Sequence, residues 1–358
     1  MTVRYNHFLG ICILHYCTLS RAVLDQIQRL ISLFFPGTMN DSQCAVFLEL
    51  SNSVEYHILS AIKAFLCLAG ALRLSLQWKR YGVRFLVHEN TKIIFRFFLA
   101  LNIIVGIIFG WIHLFEMIRL RFDCFLLDFR YILLTRGAGV SLICASQNVL
   151  LLISFERLYS ALYPANFEKC SRRFLSISLA LIATLGTTIY GISALSDQFR
   201  LFEVKNGRAL LSINIPENQI GFKRIVKMSG GSNFISLLLL CVDFYINFLR
   251  KRKINPSLGV AYQMIENRRI VLDLIPIELV QTMLNLFTGM ALLIHRKVVT
   301  NPTPVGQQLI HESVTLGVCF PLILTFFIKR SAERSLNRPR PIDPVIDHFE
   351  TLRKSWDR

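Results

Sequence analysis

Hydrophobic and polar positions along the chain separate into long apolar runs closed off by charge. One of them, Gly137 to Phe155, is free of charge over 19 residues and stops at Glu156-Arg157-Leu158-Tyr159. At about 1.5 Å per residue such a run covers about 28 Å, close to the hydrocarbon thickness of a bilayer. The pattern therefore predicts a membrane-spanning helix whose charged end marks a water interface. Comparable runs lie at Val54 to Leu76, Ile93 to Ile118, Ile132 to Phe155 (which contains the run above), Phe174 to Leu195, Ser232 to Leu249, Ile270 to Ile294 and Leu309 to Ile328. Lipid offers no water to a bare backbone, so each run must be helical. The expectation is an all-α fold, a seven-transmembrane helix bundle.

Three regions follow from that reading: an extracellular amino-terminal segment over residues 1–53, the membrane domain over 54–328, and a cytoplasmic tail over 329–358. Within the first, Phe8 to Leu19 is apolar over a signal-peptide length behind Arg4. Val23, Leu24, Ile27, Leu30, Ile31 and Phe34 then recur at helical spacing opposite Arg21, Asp25, Gln28 and Arg29, the pattern of an interfacial helix. Signal peptide, interfacial helix and an additional span are the three readings of the first 35 residues.

Composition changes the picture in one respect. With 53% hydrophobic and 18% charged residues the chain is too apolar for an ordinary soluble domain, so the formal charge of +17 reads as topology and headgroup contact rather than nucleic-acid binding. With the amino terminus outside, 22 Lys and Arg fall in inner segments and 14 in outer ones. Arg250-Lys251-Arg252-Lys253, directly after the fifth run, strengthens that orientation. The triplet Asn40-Asp41-Ser42 is a glycosylation acceptor in the outer segment. Cys44 and Cys124 lie near the same face, where a disulfide can form, with two free thiols as the alternative.

No nucleotide loop, zinc-type spacing or serine elbow is present, so the sequence proposes neither an enzyme nor a metal or other cofactor. Function has to come from polar residues inside the bundle, which lipid makes costly. A ligand entering from outside would meet Ser141 on the third span, Asn233 and Ser236 on the fifth, Asn285 and Thr288 on the sixth, and His311 and Thr315 on the seventh. Interhelical hydrogen bonding is the plainer role for each, and Asp243 and Glu116 read as paired bundle residues. Arg157 can contact a cytoplasmic partner or be held by a carboxylate of another helix, with Asp273 and Glu278 as candidates, or simply anchor the span. Pro276 and Pro321 offer places to kink the sixth and seventh spans.

Three stretches carry a family resemblance. Glu156-Arg157-Leu158-Tyr159-Ser160-Ala161 with Asn166-Phe167-Glu168-Lys169 and Arg172-Arg173 resembles the E-R-x-x-A…Y-E-K-x-x-R stretch of nematode serpentine chemoreceptors, the Sre family of the Sra superfamily. Tyr262-Gln263-Met264-Ile265-Glu266-Asn267 is similar to that family's Y-Q-x-x-E-N, and His88-Glu89-Asn90 sits where its F-H-x-N stretch falls. The resemblance runs from about Leu50 to Lys329 and implies a G-protein-coupled chemosensory receptor in the plasma membrane, in the sensory cilia of chemosensory neurons. It also implies a small odorant as ligand, a heterotrimeric G protein as partner and a second receptor copy as an admissible one. Glu156, Arg157, Tyr159, Glu168, Tyr262, Glu266 and Asn267 would then serve coupling.

Phe167 departs from the family's tyrosine. Against the broader rhodopsin-like class, the sixth run lacks C-W-x-P, the seventh lacks N-P-x-x-Y, and the segment Ser196 to Ser229 has no cysteine. The rival reading is a seven-span ligand-gated channel or transporter subunit, against which no internal repeat or pore ring is visible.

Orientation is open to a direct test. Glycosidase treatment of the expressed chain should shift a band that Asn40→Gln removes, while an acceptor triplet placed in the tail stays unmodified; the reverse pattern overturns the topology.

Overall fold

The computed structural model describes residues 41–81, 88–121, 127–164, 173–206, 208–209, 219–253, 258–299 and 303–336. Asn40, Cys124, Glu168 and the tail beyond residue 336 lie outside them, as does the side chain of Tyr262. The fold is an all-α membrane bundle. Six helices are long and apolar enough to cross a bilayer, and a bent pair makes the seventh span.

A short helix, α1 (Asp41–Asn52), precedes the spans. The first three are α2 (Val54–Tyr81), α3 (Glu89–Arg119) and α4 (Ala138–Leu162). The next three are α5 (Arg173–Asn206), α6 (Gln219–Lys253) and α7 (Leu258–Val298). The seventh span consists of α8 (Pro304–Val314) and α9 (Phe320–Leu336), joined through a tight turn at Leu316–Cys319 and bent by 40°. A two-residue antiparallel ribbon, Leu127–Asp128 against Arg208–Ala209, links the loops after the second and fourth spans.

The outer surface of the bundle is as apolar as its interior. Phe65, Leu72, Ile182, Ile189 and Phe234 are each at least 64% exposed, whereas Ser141, Asn233, Asp243 and Glu278 are completely buried. In water this distribution would be unstable; in lipid it satisfies both sides, because hydrocarbon receives the apolar faces and the bundle interior receives the polar ones. Between them lies an apolar core in which Phe95, Phe98 and Leu99 of α3 meet Leu150 and Ile153 of α4, Leu240 of α6 and Leu274 of α7.

Three expectations change. The seventh span is broken rather than continuous. The interruption falls at Thr315, before Pro321, which takes an early position of α9 where its missing N–H is harmless. Pro276 lies inside the unbroken helix α7. The charged stop after Phe155 does not end its helix, since α4 continues to Leu162 and Arg157 is 1% exposed. Arg119, one of the 14 Lys and Arg assigned to outer segments, is equally buried: it pairs with Glu116 at 2.5 Å, and α1 covers it by laying Phe47 under its guanidinium at 4.7 Å.

Two close approaches set the spacing of the bundle. A Cβ on Gly70 would stand 2.7 Å from the backbone nitrogen of Leu322, so the first and seventh spans touch backbone to backbone there. A Cβ on Gly191 would stand 2.8 Å from Cβ of Ser141, which seats the fourth span on the third.

Gly70→Val should therefore lower the unfolding temperature of the purified protein, at a cost of about 1–3 kcal/mol, whereas Gly186→Ala, which meets no atom within 4 Å, should leave it unchanged. Equal stability of the two variants would contradict this packing.

Candidate functional site

Polar side chains gather at three levels of the bundle. The first, at the end of the bundle where α4 terminates at Leu162, called the inner end after the proposed orientation, is centred on Arg157. Its Nη2 donates to Thr91 Oγ1 of the second span at 2.5 Å and lies 3.3 Å from Glu156 Oε1, while Nη1 donates to Asn267 Oδ1 of the sixth span at 3.4 Å. Asn267 uses both ends of its amide: Nδ2 donates to the Arg157 carbonyl at 3.3 Å and to Asp243 Oδ1 of the fifth span at 2.8 Å. Asn247, one turn along α6, donates to the same carboxylate oxygen at 2.5 Å. Thr91 passes its own hydrogen to Glu156 at 3.0 Å, and the backbone N–H of His88 donates to Glu266 at 3.2 Å. Arg157 and Asn267 together thus tie the second, third, fifth and sixth spans at their inner ends.

The formal charges explain why the knot holds. Asp243 faces Arg157 through the shared Asn267, and Glu156 lies beside Arg157, so the cation has carboxylates on two sides. An interhelical hydrogen bond in a membrane protein contributes about 0.6 kcal/mol on average, so each link is weak while the set fixes a geometry.

Of the residues expected to serve coupling, Glu156, Arg157, Glu266 and Asn267 meet here. Tyr159 does not: it is 48% exposed and stacks at 5.4 Å on Tyr163 at the bundle surface. Neither expected partner of Arg157 is used. Asp273 pairs with Arg334 of the seventh span at 3.2 Å, and Glu278 lies three helical turns further outward. Thr91 was missed, although its place directly after the His88-Glu89-Asn90 stretch was a readable signal; it is fully buried.

The middle level is a polar seam between the third, fifth and sixth spans. At its outer edge Ser229 donates to Gln147, and Asn285 Nδ2 donates to Ser229 Oγ at 3.3 Å. At its inner edge Ser154 and Ser236 are 2.7 Å apart. Ser229, Asn233 and Ser236 share one face of α6, and Glu278, Gln281, Thr282 and Asn285 share one face of α7. Asn233 and Gln281 therefore stand between the two bridged edges. No hydrogen bond reaches either amide atom of Asn233, either carboxylate oxygen of Glu278, Oε1 of Gln281, Oγ1 of Thr282 or Nε2 of Gln147.

The third level lies toward the outer face. Lys63 of the first span donates to Glu312 at 2.9 Å and to Thr315 at 2.8 Å, Arg136 donates to the other Glu312 oxygen, and Gln308 approaches it at 3.5 Å. Arg136 lies in a wide π-turn, Leu133–Gly137, at the head of the third span. Lys63, Arg136 and Glu312 were not anticipated, though isolated charges within apolar helices are a functional signal in themselves.

The expected ligand residues divide among these levels. Asn233, Ser236 and Asn285 line the middle seam. Thr315 belongs to the outer ion cluster, on the same short helix-and-turn segment as buried His311. Thr288 clips the sixth span to the seventh by donating to the Val314 carbonyl at 2.9 Å. Ser141 does not face them; its hydroxyl returns to the Gly137 carbonyl at 2.9 Å and packs on Gly191.

Cys44 is disulfide-bonded, while Cys67, Cys144, Cys241 and Cys319 are free thiols. Among the described residues no group of His, Cys, Asp or Glu is arranged to hold a metal. No protein-family model matches the chain, and no curated protein matches it.

Proposed function

We propose that the protein is a chemosensory receptor, resembling the Sre serpentine receptors, which binds a small external molecule within the bundle and signals to a heterotrimeric G protein at its inner face. The plasma membrane is its proposed location, with the amino terminus outside. One observation carries this reading: Arg157 and Asn267 together join four spans at their inner ends, and the bonds of Arg157 to other spans go to uncharged side chains that can release it. A structural anchor would need only one carboxylate. A junction that must hold at rest and release on demand needs several weak links to elements that can separate, and Asn267 supplies the link between the third and sixth spans.

In this mechanism the middle seam receives the ligand. Contacts made there with Asn233, Gln281 and Asn285 shift α6 against α7, and that displacement strains the Asn267 amide, which bridges Arg157 and Asp243. Once Asn267 lets go, Arg157 can turn toward the cytoplasm, where backbone carbonyls of a partner can accept its hydrogen bonds. A second receptor copy fits the reading as a further partner.

The test is nucleotide exchange on a co-expressed G protein. Asn267→Ala should raise ligand-independent exchange about 5-fold or more, the scale of a coupling of about 1 kcal/mol, and Arg157→Ala should abolish exchange at undiminished surface expression. Unchanged exchange in both variants would contradict the proposal. A channel or transporter subunit would instead produce a current or flux independent of the G protein, which voltage clamp on the same cells detects.

A further inference from the structure

Glu278 is the one acidic residue of the middle seam, and it is completely buried. Neither of its oxygens accepts a hydrogen bond, and none of the ion pairs of Lys63, Arg136, Arg157 or Arg334 includes it. Ser236 is the nearby hydroxyl that acts on the carboxylate, without a completed hydrogen bond between them. Ser236 also stands 2.7 Å from Ser154, a contact in which either hydroxyl can be the donor.

The surrounding unmatched atoms are mostly of the same kind. Glu278 contributes two oxygens, and Asn233 Oδ1, Gln281 Oε1 and Thr282 Oγ1 contribute three more, from two facing helices. Asn233 is fully buried and Gln281 is 4% exposed, so bulk water does not satisfy them. An ionised carboxylate inside the hydrocarbon, with no hydrogen bond completed at either oxygen, is opposed by desolvation. A cation relieves it. The formal charge of the seam is that of one carboxylate, so a monovalent cation neutralises it, whereas a divalent ion would leave a net positive charge in lipid. Oxygen donors alone suit a hard ion or an N–H-bearing ammonium group and disfavour soft metals.

We infer that the seam between the third, fifth and sixth spans is a binding site for a singly charged cation, seated on Glu278 and completed by Asn233, Gln281 and Thr282. A protonated amine on the external ligand and a free alkali ion present the same chemistry to these oxygens. The inference rests on the seam being the ligand site of the receptor, and it assigns the ligand's charge.

The test is thermal unfolding of the purified full chain in lipid nanodiscs, without G protein, so that its failure is separate from a failure of coupling. Chloride salts of sodium, potassium, methylammonium and butylammonium are compared at fixed ionic strength with N-methylglucamine, a much bulkier cation. At least one small cation should raise the unfolding temperature by about 2–4 °C, and the rise should vanish in Glu278→Gln. A shift with sodium or potassium identifies an ion site; one confined to the alkylammoniums identifies an amine site. Should Glu278→Gln fail to fold, Asn233→Val, which keeps the carboxylate, should reduce the shift. Identical unfolding in all salts, or a shift that survives in Glu278→Gln and is undiminished in Asn233→Val, overturns the inference and marks Glu278 as a neutral, protonated acid.

Discussion

A guanidinium that is 1% exposed within a membrane bundle has to find its partners in the protein, because lipid supplies none. Arg157 finds them on other helices. Thr91, Asn267 and, through Asn267, Asp243 hold three neighbouring spans in register with the third. The positions of the inner ends of the second, fifth and sixth spans are therefore not independent: moving any one costs hydrogen bonds on the others. Apolar packing around Phe95, Leu150, Ile153 and Leu274 brings the helices together, but it is the polar knot that fixes their rotation and depth.

That knot and the seam outward of it are made differently. At the inner end Asn267 is bonded on both sides of its amide, although Glu156 Oε2, Asp243 Oδ2 and Asn247 Oδ1 accept no hydrogen bond. In the seam, Asn233 and Glu278 are unmatched on both of their polar atoms. The knot's bonds between spans resist change, the open polar atoms of Asn233 and Glu278 can take up a ligand's, and the helices α6 and α7 run through both. The same two helices thus connect a place where binding gains energy to a place where rearrangement costs it, which is the arrangement a coupling free energy between two sites requires.

Much of the fold was legible because hydrocarbon is an unforgiving solvent: a charge-free run such as Gly137 to Phe155 has one way to be satisfied. Helix ends were less legible. Glu156 and Arg157 look like a water interface only if charge is assumed to mean water, whereas here the neighbouring spans extend as far and enclose them. The break at Thr315 lay hidden because no proline or glycine stands at the residue itself and the apolar character continues across it. Arg157's partner was sought among carboxylates, yet depth decides: Asn267 sits at the inner end of α7 with Arg157, while Asp273 is six residues and about 9 Å further out. The outer cluster of Lys63, Arg136 and Glu312 escaped notice because its members are far apart in sequence and only the bundle brings them together.

Whether the Asn267 link sets the separation of the third and sixth spans is measurable without knowing the ligand or the G protein. Spin labels at Tyr159 and Ile265, which are 48% and 70% exposed near the inner ends of those spans, would be introduced with the exposed thiol Cys241 replaced. Pulsed electron resonance in nanodiscs should give one narrow distance for the intact junction and a broader, longer distribution in Asn267→Ala. The same distribution in both proteins would contradict the central claim that this amide holds the two spans together.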